Sequence, residues 1–352
     1  MFGITNWTGN KAPEIPRVPD EAWIKTKPLT LKNLRGKVVL LDFWEYSCIN
    51  CVRTLPYLKS WYERYHQYGL EIIGVHTPEF EFGKERANVE QAIKTFGITW
   101  PVALDNDYKI WASWKNSVWP REFLVDQEGT VVHDQSGEGG YRETEEAIQK
   151  LLRREHPDAK FPEVVGYVRD IDHPSRVCYR TSPELYAGFE RGSIGNREGY
   201  RQGEVVDYAE PVAELEEDVI YVSGKWRNNL QNLQRAEGAS ATSGGTGASA
   251  SNTARKTWLG LKYHAKGVFA VIKPETDQGF KVYVEQDGKP LDKKDSGEDV
   301  QLESDGRSYI VVNEARMYRL VNNREFGVHV LKLYPTSDSF GFYTFTFETA
   351  CQ

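Results

Sequence analysis

Apolar and polar positions in the first half of the chain follow two periods in turn. Residues 37–43 and 70–76 form strand-like apolar runs, as in strands that are buried on both faces of a sheet. Segments of helical pattern follow at residues 52–65, 88–96 and 143–153. This alternation predicts an α/β domain with a partly parallel sheet. The other predicted elements are a strand pair, a short strand, a helix and a hairpin, at residues 22–31, 100–105, 108–114 and 121–137.

The pattern changes in the second half of the chain. Short strand-like runs separated by turn residues replace the helical periodicity, which predicts an antiparallel β-sandwich. Near the end, Tyr343, Phe345 and Phe347 alternate with other side chains and are expected on one face of a strand.

Two segments of unusual composition interrupt these patterns. The stretch 153–166 is charged and contains proline, which predicts a linker, so the expected domains are residues 1–155 and 165–352. Residues 239–251 consist only of Gly, Ala, Ser and Thr, which predicts a mobile loop.

Composition excludes several classes of protein. The 352 residues carry a net charge of −7, and their Lys and Arg are spread along the chain, so a nucleic-acid-binding face is not expected. No apolar run is as long as a membrane span. The first residues lack a basic and an apolar leader segment, which favours the cytoplasm unless a leader has been removed.

Two of the four cysteines, Cys48 and Cys51, follow the first apolar run and stand at the start of the first helix. In an α/β unit this arrangement is typical of a redox-active dithiol. Free amides and the helix dipole can lower a thiol pKa there from about 8.5 to between about 3.5 and 7.5. Cys48 is therefore expected to attack a disulfide, and the more shielded Cys51 to resolve the mixed disulfide.

Three alternatives compete with a redox role for the two cysteines. A zinc site needs two further ligands at metal-type spacing, but there is no second cysteine pair and the seven His are scattered. A peroxide-reducing site is disfavoured because no proline lies between Asp42 and Cys48. Two small hydrophobic side chains without chemistry are the third alternative. We expect no metal and no cofactor other than a redox-active Cys48–Cys51 disulfide.

The segments "VVLLDFWEYSCINCVRTLPYL", "GLEIIGVHTPEF" and "VWPREFLVDQEG" lie within residues 28–152. They resemble thioredoxin-fold proteins of the TlpA-like branch, and most of all the soluble C-terminal part of DipZ, a family of bacterial thiol–disulfide exchange proteins. In the second half, "TSPELYAGF" and "FYTFTF" resemble that family's C-terminal module, which looks like a jelly-roll carbohydrate-binding domain. The resemblance implies an α/β thioredoxin fold (TlpA-like) followed by an all-β jelly-roll-like sandwich.

The resemblance also implies roles for individual residues. Asp42 matches the buried acid that takes a proton as the resolving thiol ionises; the alternative is a salt-bridged or capped strand end. Pro56 matches the proline that kinks the first helix. Pro120 matches a cis-proline facing the dithiol, with a trans turn proline as the alternative. In relatives, the backbone of the residue that precedes this proline, here Trp119, pairs with the bound substrate chain.

This sequence departs from the family in features that bear on the direction of disulfide exchange and on the source of electrons for the dithiol. The dipeptide between the cysteines, Ile49-Asn50, does not decide whether the dithiol acts as a reductase or as an oxidase. A reductase is the favoured interpretation. Thr54 stands where many relatives carry a glutamate, so Glu45 or Glu79 could supply that carboxylate unless both are solvated. Protein dithiols or disulfides are the implied substrates. The resemblance does not reach a membrane electron-transfer domain, so a separate donor such as a membrane thiol reductase is implied, together with an extracytoplasmic location.

Two hypotheses concern the second domain, a ligand that binds to it and a disulfide within it. Its aromatic residues could stack on sugar rings or fill the core, and a glycan, a partner protein or a second copy of the chain are alternative partners. The four aromatic candidates are Trp226, Trp258, Tyr186 and Tyr200. Cys178 and Cys351 stand near the two ends of this domain. Because the first and last strands of a jelly roll often run side by side, a Cys178–Cys351 disulfide is the hypothesis for this pair.

Overall fold

The computed structural model describes residues 6–238, 257–276 and 278–351, so the predicted mobile loop at 239–251 lies outside the described residues. The chain divides into two compact units, Met1–Pro174 and Ser175–Gln352. The division falls later than the predicted linker, because that segment is hydrogen-bonded to the first unit. Gln149 Nε2 donates to Pro162 O at 2.9 Å, and Val168 N donates to Tyr57 Oη at 2.7 Å.

A six-stranded sheet in the order β1-β4-β3-β2-β5-β6 forms the centre of the first unit. The strands are β1 Trp23–Ile24, β2 Val38–Trp44, β3 Leu70–His76, β4 Val102–Leu104, β5 Arg121–Val125 and β6 Val131–Ser136. β2, β3 and β4 run parallel, whereas β1, β5 and β6 pair antiparallel to their neighbours. Every residue of β2 and β3 is buried, so both apolar runs are central strands as predicted.

Helices cover this sheet, namely α1 Ile49–Tyr65, α2 Arg86–Thr95, α3 Lys109–Ser113 and α4 Tyr141–Glu155. One face of the sheet contributes Leu41 and Phe43 to a core that also contains Ile110 and Trp114 from the α3 region. The α1 and α4 helices lie on the other face, where His133 of β6 is 2.9 Å from Thr144 Oγ1 of α4. The α/β thioredoxin fold is thus confirmed.

The strand pair predicted for residues 22–31 is wrong. Within residues 22–31, only Trp23 and Ile24 form a strand, and they pair with β4 through Ala103 and Val102 rather than with a second local strand. Lys25, the residue after Ile24, takes a left-handed φ of 67°, which ends the strand at this point.

Within the described ranges of the second unit, eleven strands pair antiparallel to their neighbours. The strands are β7 Leu185–Tyr186, β8 Val205–Tyr208, β9 Val219–Asn228, β10 Leu233–Arg235, β11 Trp258–Pro274, β12 Phe280–Gln286, β13 Lys289–Pro290, β14 Gln301–Leu302, β15 Ser308–Val312, β16 Arg316–Pro335 and β17 Phe340–Glu348. The strands β11, β17, β10 and β9 close on themselves, because β9 also pairs with β11. The predicted all-β sandwich is confirmed in this form.

A β-bulge in β17 changes the predicted alternation near the end of the chain. The register with β11 skips Tyr343, since Val271 pairs with Thr344 and Ile272 pairs with Phe342. The skipped residue reverses the side-chain parity, so Phe342 and Phe345 belong to the same core cluster and Tyr343 does not. The expectation that Tyr343 shares a face with Phe345 is therefore wrong.

The hypotheses for the second unit have different outcomes. Cys178 and Cys351 form a disulfide, as predicted. Trp226 and Trp258 are buried in the unit, so their side chains are structural rather than open platforms for a sugar. The other two aromatic candidates are half-buried, and the Arg191 guanidinium lies 3.9 Å from the ring centroid of Tyr186.

Candidate redox site

Two free thiols occupy the junction between β2 and α1. Cys48 is the N-cap of α1, and its Sγ accepts a hydrogen bond from the backbone N–H of Cys51 at 3.3 Å. The Cys51 thiol donates to the same sulfur across 2.6 Å. Only three residues separate β2 from the first cysteine, so the strand end positions the pair at the edge of the sheet. This geometry suits a dithiol that closes to a disulfide with little movement.

The two thiols differ in exposure as predicted. Cys48 is half-buried, whereas Cys51 is fully buried. Burial raises the pKa of both thiols, and that of Cys51 rises well above its ordinary value. Hydrogen bonds from Cys51 oppose the increase at Cys48, and the carboxylates of Glu79 and Glu45 add to it. The lowered pKa expected for Cys48 is therefore wrong for this dithiol, because burial and acidic neighbours outweigh the helix amides.

The Trp119–Pro120 peptide bond is cis, as the sequence predicted. The next residue, Arg121, pairs with Phe43 in β2, so Pro120 lies level with the end of β2. The Trp119 indole donates to Thr77 O at 3.1 Å, just after β3. Trp119 and Pro120 thus lie at the same edge of the sheet as the cysteines.

Asp42 lies within β2, fully buried, six residues before Cys48. Neither of its carboxyl oxygens has a hydrogen-bond or ion-pair partner among the described residues, so the alternative of a salt-bridged strand end is not supported. Burial raises the pKa of Asp42 to about 7, and the Asp42 carboxylate contributes to the raised pKa of Cys51. Its strand partner in β5 is the buried Glu122, which the sequence analysis did not single out.

Glu45 is buried and not solvated. Its Oε2 accepts hydrogen bonds from the backbone N–H and the hydroxyl of Ser47, at 2.7 and 2.6 Å. Its Oε1 lies 3.7 Å from Nε2 of the equally buried His76, and the Tyr46 ring stacks on that imidazole at 5.6 Å. His76 was not predicted as a site residue, and its place at the end of a buried strand directly before Thr77 was the only signal for it.

A metal centre is not visible in the part of the chain that the structure describes, where no group of three or more His, Cys, Asp or Glu side chains could hold an ion. The site brings together the two sulfurs and the carboxyl groups of Asp42 and Glu45.

Comparison with known families assigns both halves of the chain. Residues 8–134 match the AhpC/TSA family, and residues 182–347 match the thioredoxin like C-terminal domain. Thiol-disulfide oxidoreductase ResA of Bacillus cereus is 33% identical over 128 residues, which are 36% of this chain and 71% of that protein. The chain belongs to the thioredoxin-like thiol–disulfide oxidoreductases.

A longer relative aligns with both units of this chain. Protein DipZ of Mycobacterium tuberculosis is 38% identical over 275 residues, or 76% of this chain. The chain spans about a third of the length of the DipZ relatives it matches, 35%. Among solved structures, a putative thiol:disulfide interchange protein DsbE from Chlorobium tepidum is 22% identical with a TM-score of 0.35, covering 41% of this chain and 98% of that one.

No helix in the described ranges combines the length and the apolar composition that a membrane crossing requires.

Proposed function

We propose that this oxidoreductase reduces disulfide bonds in protein substrates through Cys48 and Cys51. The observation that carries the proposal is the dithiol itself, two free sulfurs 2.6 Å apart of which only Cys48 is accessible. Cys48 attacks the substrate disulfide as a thiolate and releases one substrate sulfur. Cys51 then attacks Cys48, releases the second substrate sulfur and leaves a Cys48–Cys51 disulfide.

The surroundings of the dithiol support the reducing direction. A strong oxidant of this kind owes its potential to a reduced form that is stabilised. Here burial and the carboxylates of Glu79 and Glu45 raise the pKa of Cys48, so at neutral pH the reduced form gains no stabilisation from a thiolate. We expect a potential nearer the thioredoxin value of about −270 mV than the value of about −120 mV of a strong oxidant.

Trp119 and Pro120 form the proposed docking edge for the substrate chain. The cis bond lies directly before β5. The indole of Trp119 donates a hydrogen bond to Thr77 O, and its ring centroid lies 4.3 Å from that of Trp111. The backbone of Trp119 then remains to pair with an extended substrate segment beside Cys48, which is the role of this position in relatives. Asp42 serves Cys51 as the buried proton acceptor.

Two cysteine variants test the exchange mechanism. Cys51→Ser should accumulate a mixed disulfide between Cys48 and a scrambled, disulfide-bonded test protein, because nothing resolves it. The matched variant Cys48→Ser should accumulate almost none, since the remaining Cys51 is buried. Both adducts are read on non-reducing gels and by mass spectrometry. Equal trapping by the two variants, or a potential near about −120 mV for the native pair, would contradict the proposal.

The electron donor, the location and the second unit complete the proposal. The Cys178–Cys351 disulfide supports an extracytoplasmic location, where such bonds persist. There a membrane thiol reductase would return the dithiol to its reduced form. Cell fractionation tests the location, and recovery only from the cytosol would contradict it. A glycan ligand for the second unit stays a prediction, which a glycan array probed with the whole chain tests.

A further inference from the structure

Two carboxyl groups face each other across neighbouring strands beneath the dithiol. Asp42 of β2 and Glu122 of β5 are directly opposed in an antiparallel pair, so their side chains leave the same face of the sheet. Directly opposed positions place Cβ atoms about 4.5–5.5 Å apart. Both residues are at least nine-tenths buried, at 0% and 3% exposure. The two strand positions are 80 residues apart in sequence, so only the fold brings them together.

Among the described residues, no cationic side chain forms an ion pair with Asp42 or Glu122. From β3, the position level with Asp42 is Gly74, which has no side chain. From β6, Gln135 opposes Glu122, and diagonally placed His133 has a pKa lowered by burial and contacts Thr144 instead. From α1, the Cys51 thiol interacts with the pair, since the Asp42 carboxylate contributes to its raised pKa.

On the remaining element of this face, α4, the described basic side chains are exposed or bonded elsewhere, Arg142 to Glu146 at 2.9 Å and Arg154 to Asp126 at 3.5 Å. Its buried Glu145 accepts hydrogen bonds from Tyr65 at 2.6 Å and from Trp61 at 3.1 Å, and Arg64 lies 3.6 Å from it. Arg121, next to Glu122 in sequence, points to the other face, where its guanidinium forms an ion pair with Asp134 at 2.8 Å.

Two buried carboxyl groups at directly opposed strand positions cannot both ionise without a large free-energy cost. Among the described residues, both oxygens of Asp42 and Oε2 of Glu122 lack a hydrogen-bond partner. A proton retained on either of the two groups removes one charge. Resting on the proposed function, we propose that Asp42 and Glu122 hold one proton in common, and that this pair, rather than Asp42 alone, accepts and returns the proton of Cys51. Glu122 is then a positioning residue that acts through Asp42.

The exchange step starts from the mixed disulfide between Cys48 and the substrate. The Cys51 thiol gives its proton to the pair, and its sulfur forms a bond with Cys48 Sγ. The bond between Cys48 and the substrate sulfur breaks with its electron pair on the substrate, which leaves as a thiolate and takes a proton from water. Cys48 and Cys51 are oxidised by two electrons in total, and the substrate disulfide is reduced by two. The pair later returns its proton when the donor reduces the Cys48–Cys51 disulfide.

Carboxyl titration tests the shared proton without relying on catalysis. The whole chain is labelled with ¹³C at Asp and Glu carboxyl carbons, and the two resonances are followed by NMR against pH in the native chain, in Glu122→Gln and in Asp42→Asn. Interacting groups titrate as a pair, so removing either carboxyl should move the titration of the other by more than about one pK unit. Glu71→Gln is the matched control, since Glu71 lies in β3 and is paired with Lys37 at 3.0 Å. An Asp42 titration that is the same in the native chain and in Glu122→Gln overturns the proposal.

The pH profile of the resolving step tests the link to Cys51. The reduced chain is mixed with 5,5′-dithiobis(2-nitrobenzoate), and the second thiolate release, in which Cys51 attacks Cys48, is timed by stopped flow between pH 5 and 9. Glu122→Gln and Asp42→Asn should alter the pH profile alike, and the double variant should be no slower than the slower single variant. A Glu122→Gln profile that matches the native profile overturns the role of Glu122. Coupled titration in a chain that reduces no protein disulfide would support the pair while contradicting the reductase function.

Discussion

Replacing Asp42 by Asn should stabilise the first unit, and more so as the pH rises. Asp42 is fully buried, and burial raises its pKa from 3.8 to about 7 in the folded chain. A carboxyl group whose pKa is raised by folding contributes stability that is fully present below pH 3.8 and is lost as the pH rises through 7. The native chain therefore loses stability in that window, and the Asn variant does not.

The size of the effect follows from the shift in pKa. A pKa shift of roughly 3 units lowers the unfolding free energy of the native chain by about 4 kcal/mol at pH 8.5. About 2 kcal/mol of this loss is already present at pH 5. The gain of Asp42→Asn over the native chain should thus be about 2–3 kcal/mol larger at pH 8.5 than at pH 5.

Hydrogen exchange in β2 and β3, read by mass spectrometry, measures this gain in the first unit alone, because a two-unit chain has no single unfolding free energy. Asp107→Asn is the matched control. The Asp107 side chain is 70% exposed, and its replacement should change stability by less than about 0.5 kcal/mol at either pH. A gain from Asp42→Asn that is the same at both pH values would refute the assignment of Asp42 as an acid kept protonated by burial.

Two further predictions concern packing and covalent closure. Gly74→Ala should destabilise the first unit by about 1–3 kcal/mol, because the new Cβ would lie 2.9 Å from Trp44 Nε1; Gly166→Ala, with nothing within 4 Å, is the control. Equal exchange rates in β3 of the two variants would show that the site tolerates the methyl group. Cys178→Ser combined with Cys351→Ser opens a loop of 173 residues and should destabilise the second unit by up to about 5 kcal/mol. Unchanged exchange in β11 would contradict this.

The dithiol and its scaffold could be predicted because their determinants are local. The continuous apolar runs specify β2 and β3, and the sequence position of Cys48 between a strand and a helix places it at the start of α1. The cis bond before Pro120 and the pairing of Cys178 with Cys351 were also predicted, the first from the family resemblance and the second from the expected order of strands.

Features that depend on distant parts of the chain could not be predicted in the same way. The opposition of Glu122 and Asp42 depends on the register between two strands, which no local pattern contains. The bulge at Tyr343 depends on its partner strand and reverses the parity of the residues around it. The pKa of Cys48 follows from burial and from two carboxylates placed by the fold, which outweigh the helix start visible in the sequence.

The disulfide of the second unit has a mechanical consequence. Because Cys178 and Cys351 join strand positions at the two ends of this unit, tension applied at those ends passes through a covalent bond instead of the hydrogen bonds of the sheet. The 173-residue span between the two cysteines therefore cannot be stretched by such tension while the disulfide is intact. Its reduction would release a tether of roughly 600 Å in contour length, at about 3.5 Å per residue. A reductant that reaches this bond thus converts an inextensible unit into one that unfolds under load.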